Sequence, residues 1–275
     1  MTPPSVDSPA SQTSEAFRKL CKLPPFQTVA IQVLSVNADD DDALKRLESL
    51  FGSDPALAAE LLATANSAEF GFRSRISTIR HALSVLGVER TRSLAVTIAM
   101  AGYIRTRLPR DAVRPLWEHA IASAVLAQHL AGRNGTSSTL LYTAGLTHDL
   151  GRLGLYASSR DAYQPLVNME FRSVEEAEDM ERRLLGVTHS EAGGFLTRSW
   201  GFPAILSDCA RYHHAPPENG NEDIRIVHQA CQLADSMGYP ELRLQTPAGA
   251  NGDGDNEWTN SPLREMVERR MKQLC

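Results

Sequence analysis

Helix start and stop signals recur along almost the whole of this 275-residue chain, and they constrain its fold more than any other feature. Asp54 followed by Pro55 combines an N-cap residue with a first-turn proline. Thr188 and Glu191 have the spacing of a capping box, and Gly87 follows an apolar pattern of helical period. No segment alternates apolar and polar residues over the length of a strand. The sequence therefore predicts an all-α fold.

The apolar spacing also predicts where individual helices lie. Leu140–Leu150 is apolar or small on most sides, so we expect a buried central helix there. Gly132 is expected to end the amphipathic helix Leu116–Leu130. The remaining predicted helices span approximately 56–65, 77–87, 92–104, 188–201, 203–214, 223–237 and 263–274.

Changes in composition suggest how the chain is organised. Residues 1–15 are rich in Ser, Pro and Thr and are expected to be disordered. The body, 16–240, divides after Leu108 into segments 16–108 and 109–240. Residues 241–275 are predicted to form a Gly/Asn/Asp-rich linker and a short C-terminal helix. That helix would dock on the body or pair with another chain, as in a homodimer.

Overall composition excludes several classes of protein. There are 28 Lys and Arg against 33 Asp and Glu, a net charge of −5, with 42% hydrophobic residues. This content argues against wholesale disorder, and the acidity argues against general binding to nucleic acid or an anionic membrane. No apolar window approaches about 18 residues, and the first residues do not resemble a secretory signal. The four cysteines show no CxxC spacing, so we expect reduced thiols in a cytoplasmic protein.

The placement of histidines and aspartates suggests a metal site. His148 and Asp149 are adjacent inside the most apolar predicted helix, where a carboxylate is costly unless it is paired or binds a cation. Imidazole and carboxylate groups are ligands of zinc, iron and manganese. We therefore predict a site for two such ions, bridged by Asp149. Its predicted ligands are His119, His148, Asp149, His189, His213, His214 and Asp235.

Two residues of this region are predicted to be catalytic, Asp149 and Arg152. Two cations in such a site would activate water and neutralise a phosphate group, and Arg152, one turn beyond Asp149, is expected to hold phosphate oxygens. Each position also has a purely structural explanation. Asp235 could pair with an arginine, His213 and His214 could be a frayed helix end, and His228 could support a ligand or have no role.

The string His148-Asp149-Leu-Gly-Arg152, preceded by His119, resembles the HD superfamily of metal-dependent phosphohydrolases. The later predicted ligands follow the order found in its dinuclear members. Several strings of the first half resemble, more narrowly, the HDOD family, the HD-related output domain. These are Leu23-Pro-Pro-Phe26, Asp54-Pro-Ala-Leu57, Leu61-Leu62, Ala65-Asn-Ser67, Phe70-Gly71, Ile76-Ser-Thr-Ile79, Ala82-Leu83 and Leu86-Gly87, and the resemblance covers about 23–240.

The resemblance implies a bacterial cytoplasmic signalling module with an N-terminal helical subdomain and an HD-like core. Most HDOD domains have lost the metal ligands and are regarded as regulatory, whereas this chain keeps the HD pair. The features of an HD-GYP cyclic-di-GMP phosphodiesterase are missing. Ala-Pro-Pro follows His214, and Pro115 stands where an acidic residue is expected four positions before His119.

Four functions remain open at this point. The first is a signalling module that binds a protein partner or a nucleotide, and the second is an active phosphohydrolase or phosphodiesterase on a nucleotide. A di-iron oxygenase would use the same ligand order. Nucleic-acid binding is suggested by arginines around a helix-turn-helix spacing, but the pI of about 5.9 favours an αα-hairpin with a solvated polar face. Those arginines are Arg73, Arg75, Arg80, Arg90 and Arg92.

Overall fold

Helices account for nearly all regular structure in the described residues, 9–67, 75–134, 138–245 and 261–274, of a computed structural model. The helices are α1 (Pro9–Leu20), α2 (Thr28–Leu34), α3 (Ala43–Gly52), α4 (Pro55–Ala65), α5 (Ile79–Arg107), α6 (Arg110–Asn134), α7 (Ser138–Thr147), α8 (Leu150–Ser158), α9 (Arg160–Asn168), α10 (Val174–Leu185), α11 (His189–Ser199), α12 (Ala204–Tyr212), α13 (Glu222–Ser236) and α14 (Pro262–Leu274). Two short strands, β1 (Glu170–Phe171) and β2 (Arg243–Leu244), pair in parallel. The all-α prediction is confirmed. No helix among these residues has the length and apolar character needed to cross a membrane.

The chain forms two compact units, one of residues 25–106 and one of the segments before and after it. The N-terminal segment therefore belongs with the second half of the chain. Helix α1 packs on α8, α10 and α11, with Leu20 buried and the Phe17 ring centroid 4.7 Å from that of Phe195. Residues 9–15, which the composition predicts to be disordered, form the first part of α1, and the later residues Phe17 and Leu20 make its contacts with the body. Residues 1–8 lie outside the described part.

The unit of residues 25–106 has a continuous apolar core that includes Leu47, Phe51, Leu57 and Leu61. Helix α4 begins as its sequence predicts. The Oδ1 atom of the N-cap Asp54 accepts hydrogen bonds from the backbone N–H groups of Ala56 and Leu57, both at 3.0 Å. These bonds satisfy two of the donors that a helix start leaves free.

Gly87 divides α5 into two helical segments across a kink, as the sequence predicts. Its φ of 75° and ψ of 167° lie in a region that side-chain-bearing residues rarely adopt. Two of the arginines around it are engaged in ion pairs, Arg80 with Glu48 at 2.7 Å and Arg92 with Glu89 at 2.9 Å. These pairs favour the solvated-hairpin interpretation of this segment.

The second unit is built around α6 and α7, with α13 and α14 packed on α6. Helix α6 begins before Pro115 and continues past Gly132, so both limits predicted from the sequence are too narrow. The early start buries Val113. This burial outweighs the backbone hydrogen bond that an internal proline removes.

The central apolar segment is not one helix. Helix α7 ends at Thr147, α8 begins at Leu150, and His148 and Asp149 form a turn between them. The prediction of a single helix over Leu140–Leu150 is therefore wrong. The sequence does not reveal this break. Both flanking helices are buried and largely apolar, so the apolar pattern continues across the turn.

Helix α14 docks on the body, one of the two outcomes predicted for it. Val267 is fully buried, Arg264 Nη1 donates to the Met237 carbonyl at 3.1 Å, and Trp117 Nε1 donates to the Leu274 carbonyl at 3.4 Å. The preceding linker, 246–260, lies outside the described residues.

Two glycines of α5 give a matched test of the kink. Gly87→Ala should lower the free energy of unfolding by about 1–3 kcal/mol, because alanine is strained at this positive φ. Gly102→Ala is the control, since Gly102 lies inside the helix and a Cβ there meets nothing within 4 Å. It should stabilise the protein by about 0.5–1 kcal/mol. Urea denaturation measures both, and a neutral or stabilising Gly87→Ala would contradict the assigned conformation.

Candidate metal centre

The Nε2 atoms of His119, on α6, and His148, in the turn before α8, face each other. The His148 Nδ1–H donates to the Gly145 carbonyl at 2.6 Å, and the His119 Nδ1–H donates to the Tyr239 carbonyl at 2.7 Å. A carbonyl only accepts, so each neutral ring keeps its lone pair on Nε2. The two Nε2 atoms are 3.2 Å apart. Two facing lone pairs at this distance repel unless a cation or a proton lies between them.

A proton on His148 is a poor occupant of this gap. Both rings are buried, with exposures of 0% and 1%. Burial and the neighbouring His119 together lower the pKa of His148 to about 4, against the attraction of Asp149. His148 is therefore a neutral acceptor at pH 7. The geometry fits a metal ion between the pair, held by two imidazole nitrogens.

Asp149 adds a carboxylate beside this pair. It precedes α8, but its side chain forms no cap hydrogen bond. Its Oδ2 accepts from Arg152 Nε at 3.0 Å, while its buried Oδ1 has no hydrogen-bond partner within the described part of the chain. A bare carboxylate oxygen removed from water is costly, which favours a cation close to it.

Three histidines further along the chain also lie near Asp149. They are called the downstream histidine group: His189, His213 and His214. Asp149 Oδ1 is 3.7 Å from His189 Nε2 and 3.9 Å from His213 Nε2. Together with Glu241, the group places four potential ligand atoms within 4.8 Å of one another. The structure thus brings together six of the seven candidate ligands that the sequence predicts.

Local structure orients each ring of this group. Thr188 and Glu191 form both bonds of the predicted capping box, so α11 begins at His189. The backbone N–H and the Nδ1–H of His189 both donate to Glu181 Oε2, at 2.7 and 2.8 Å. His213 Nδ1–H donates to the Ala210 carbonyl at 3.1 Å, and its buried Nε2 has no hydrogen-bond partner among the described residues.

His228, on α13, contacts the backbone of this group. Its Nδ1–H donates to the His213 carbonyl at 2.5 Å. Of the two roles left open for His228, the structure favours support of a candidate ligand.

The close approach of α8 and α11 depends on Gly151. A Cβ at this position would overlap the His189 carbonyl oxygen and lie 2.6 Å from the Gly193 nitrogen. A side chain here would push α11 away and separate His189 from Asp149. Glycine therefore sets the distance between the two sides of the centre.

Arg152 does not present free donors to a phosphate. Its side chain is 1% exposed, and each guanidinium nitrogen already has protein partners. Nε donates to Asp149, and Nη1 donates to Glu181 at 3.0 Å and Tyr163 at 3.4 Å. Nη2 lies 3.2 Å from Glu241 Oε2 and 3.3 Å from His189 Nε2. The phosphate-holding role predicted for Arg152 is not supported by this geometry.

Arg152 instead forms a buried ionic network with Asp149, Glu181 and Glu241, called the Arg152 network below. Burial raises the pKa of Glu181, but His189 and Arg152 outweigh it and bring the value down to about 2. His214 and Arg152 likewise hold the pKa of buried Glu241 well below its usual range. Glu181 and Glu241 are thus held ionised and, with Asp149, face one guanidinium, so a bound cation would offset the negative charge of the network.

The sequence reasoning missed Glu181 and Glu241. Glu241 lies in the segment predicted as linker, a boundary that the structure corrects. Pairing of β2 with β1 holds this segment, where the Gln245 N–H donates to the Phe171 carbonyl at 2.8 Å. The sequence feature that could have indicated a role for Glu241 was the segment Gly238-Tyr239-Pro240 just before it. For Glu181 the only signal was its place on the buried face of α10.

Asp235 lies at the edge of the centre. Its Oδ1 is 3.4 Å from His119 Nδ1, on the side of the ring away from His148, and it accepts from the Glu241 N–H at 3.1 Å. Burial raises the pKa of Asp235 to about 6 against the attraction of His119. It also shares a potential ligand group with Cys231 and Glu241.

An apolar cleft reaches the Arg152 network from outside. Its volume is about 270 Å³. Arg152, Glu181 and Glu241 line it together with apolar groups, which include Tyr163, Leu166, Phe171, Tyr239 and Pro240. A small molecule in this cleft would touch the network, whose guanidinium bonds are already made.

Loss of Arg152 should destabilise the protein strongly. Arg152→Ala leaves three buried carboxylates without their cation and should lower the free energy of unfolding by about 3–5 kcal/mol. Arg172→Ala is the control, because that exposed arginine pairs with Glu176 on the surface, and it should change stability little. Chemical denaturation distinguishes the two. Equal, small effects would contradict the assigned network.

Comparison with known proteins agrees with this architecture. A protein from Treponema pallidum (strain Nichols) is 23% identical over 202 residues, which span 73% of this chain but only 39% of that protein. A solved HDOD domain protein of unknown function from Geobacter sulfurreducens aligns with a TM-score of 0.72 at 23% identity, covering 96% of this chain and 90% of that one.

A solved candidate phosphohydrolase from Shewanella amazonensis SB2B aligns with a TM-score of 0.67 at 22% identity, covering 95% of this chain and 94% of the other. These structural likenesses establish a shared fold. The family model of the HDOD domain matches residues 23–216, well over half of the sequence. The chain therefore belongs to the HDOD domain family.

Proposed function

We propose that this chain is a regulatory module of bacterial signal transduction whose buried histidine cluster binds a divalent transition metal. Iron, manganese and zinc all accept imidazole and carboxylate ligands. The observation that carries the proposal is the approach of the Nε2 atoms of His119 and His148 to 3.2 Å. The bare Oδ1 of Asp149 beside them supports it.

One ion, between His119 and His148, is the stoichiometry we propose. In the downstream histidine group, the Arg152 guanidinium already lies 3.3 Å from His189 Nε2 and 3.2 Å from Glu241. Burial lowers the pKa of His214, but Glu241 raises it more. His214 Nε2 lies 2.9 Å from His189 Nε2, and a hydrogen on His214 Nε2 would donate to the His189 lone pair. A guanidinium and an imidazole N–H thus lie where the two-ion prediction puts a second metal.

The enclosure of the centre favours regulation over turnover. Four of its histidines, His119, His148, His189 and His213, are at most 1% exposed, and Arg152 has no spare donor for a phosphate. The cleft, at about 270 Å³, is smaller than the usual ligand pocket of about 300–1,000 Å³. We propose that the metal stabilises the fold and that the output is made to a protein partner in the cytoplasm.

A metal-dependent phosphohydrolase acting on a nucleotide is the second candidate. The cleft favours it, because Arg152 and Glu241 line it and Glu241 offers a ligand atom within 4.8 Å of those of His119 and Asp149. When bound, the ion would supply Lewis-acid chemistry. Asp149 would help to hold the ion, and Arg152 would position Asp149 and Glu241. A screen of nucleotide phosphates with metal-loaded protein separates the candidates, since regulation predicts no turnover and the phosphohydrolase predicts metal-dependent release of phosphate.

Metal content tests the leading proposal. Tag-free protein purified without chelator should carry about one transition-metal ion per chain by elemental mass spectrometry. His148→Ala should lose most of this metal and melt at a lower temperature, because a ligand that binds only the folded state stabilises it. His81→Ala is the matched control, since His81 is an exposed histidine on α5, and its metal content should be that of the wild type.

Two results would contradict the proposal. Metal-free protein that takes up no metal on reconstitution would rule out the centre. Unchanged metal content in His148→Ala would rule out the His119–His148 pair as its location. About two ions per chain would keep the metal centre but refute the one-ion stoichiometry.

A further inference from the structure

We propose that Cys231 is a third ligand of the ion between His119 and His148, so that the centre is a sulfur-containing site selective for soft divalent metals. This inference rests on the proposed metal binding and extends it to the ligand set and the class of metal. The sequence predictions treated Cys231 as an ordinary reduced thiol.

Distances around His119 support a shared ion. Cys231 Sγ lies 3.5 Å from His119 Nε2, and the ligand atoms of His119, His148 and Cys231 all lie within 4.8 Å of one another. In a tetrahedral zinc site with Zn–N of about 2.0–2.1 Å and Zn–S of about 2.3 Å, two nitrogens are about 3.4 Å apart and nitrogen and sulfur about 3.6 Å. The observed separations are 3.2 Å between the nitrogens and 3.5 Å between nitrogen and sulfur.

Hydrogen bonding alone does not account for this crowding. His119 Nε2 has one lone pair, since its Nδ1–H donates to the Tyr239 carbonyl. Three groups nevertheless surround it: His148 Nε2 at 3.2 Å, Ser123 Oγ at 3.3 Å and Cys231 Sγ at 3.5 Å. The serine hydroxyl can donate, but His148 Nε2 has no proton to give. A metal ion bound by His119 Nε2, His148 Nε2 and Cys231 Sγ would account for the short distances between them.

Helix α13 explains why the thiol, and not the predicted aspartate, reaches this point. Cys231 and Asp235 are four residues apart and lie on one face of the helix. Asp235 contacts the Nδ1 edge of His119, whereas Cys231 contacts the Nε2 edge. The buried thiol thus occupies the inward position that the sequence prediction gave to Asp235.

A carboxylate completes the set. The ligand atoms of His119, Asp149 and Glu241 lie within 4.8 Å of one another, and each of the two carboxylates has one oxygen without a hydrogen-bond partner among the described residues. One of these oxygens can take the fourth position. Two imidazoles, a thiolate and a carboxylate favour zinc, iron or cobalt over manganese and magnesium.

Cobalt gives a readout that does not depend on catalysis. Metal-free full-length protein is titrated with Co²⁺ and its absorption spectrum recorded. The wild type should develop a near-ultraviolet thiolate-to-cobalt charge-transfer band. Cys231→Ala should lack that band and bind Co²⁺ at least about tenfold more weakly, since even partners behind the ligands cost that much affinity. Cys209→Ala is the matched control, because Cys209 is also a buried, free cysteine in a helix of the same unit, and it should keep the band.

Competition tests the class of metal. Zinc in slight excess should displace cobalt and abolish the band, while manganese at the same concentration should leave it. Equal displacement by manganese would overturn the proposed selectivity.

The outcomes separate the two proposals. A bound cobalt ion without the band, or a band that persists in Cys231→Ala, overturns the cysteine ligand and leaves the metal centre standing. A wild type that binds no cobalt overturns both. Should Cys231→Ala lose its helical circular dichroism, two further sets of variants keep the test intact. Cys231→Ser should lack the band, and single alanine variants of Cys21, Cys209 and Cys275 should each retain it.

Discussion

The buried guanidinium of Arg152 joins the segments that form the centre. It bonds Asp149 in the turn before α8, Glu181 on α10 and Glu241 beside β2, and it lies against His189 at the start of α11. These groups are far apart in sequence, and their burial is tolerable only because they satisfy one another. The positions of the candidate ligands Asp149, His189 and Glu241 therefore depend on the Arg152 guanidinium.

The negative charge of the Arg152 network favours the metal ion that we propose. The carboxylates outnumber the guanidinium, and burial alone would make that excess costly. On the side of the centre with His189 and His214, Arg152 supplies a positive charge. On the side with His119 and His148, the proposed divalent ion would be held by two imidazole nitrogens, the Cys231 thiolate and a bare carboxylate oxygen.

Features of the fold that depend on local interactions could be predicted from the sequence. The capping box at Thr188 sets the start of α11 and the place of His189, and Gly87 sets the kink of α5. The break between α7 and α8 was missed because both helices are apolar, so tertiary packing alone exposes the turn at His148 and Asp149. Glu241 was missed because the pairing of residues 170 and 243 that holds it is long-range. For Cys231 no ligand spacing exists, and only its shared face with Asp235 could have suggested a role.

Anomalous X-ray diffraction at the zinc absorption edge, on crystals of zinc-loaded protein, tests the central claim most directly. The account predicts one strong anomalous peak about 2.0–2.1 Å from the Nε2 atoms of both His119 and His148. A zinc-loaded crystal with its peak anywhere else, or with no peak and a water molecule between the two rings, would contradict it.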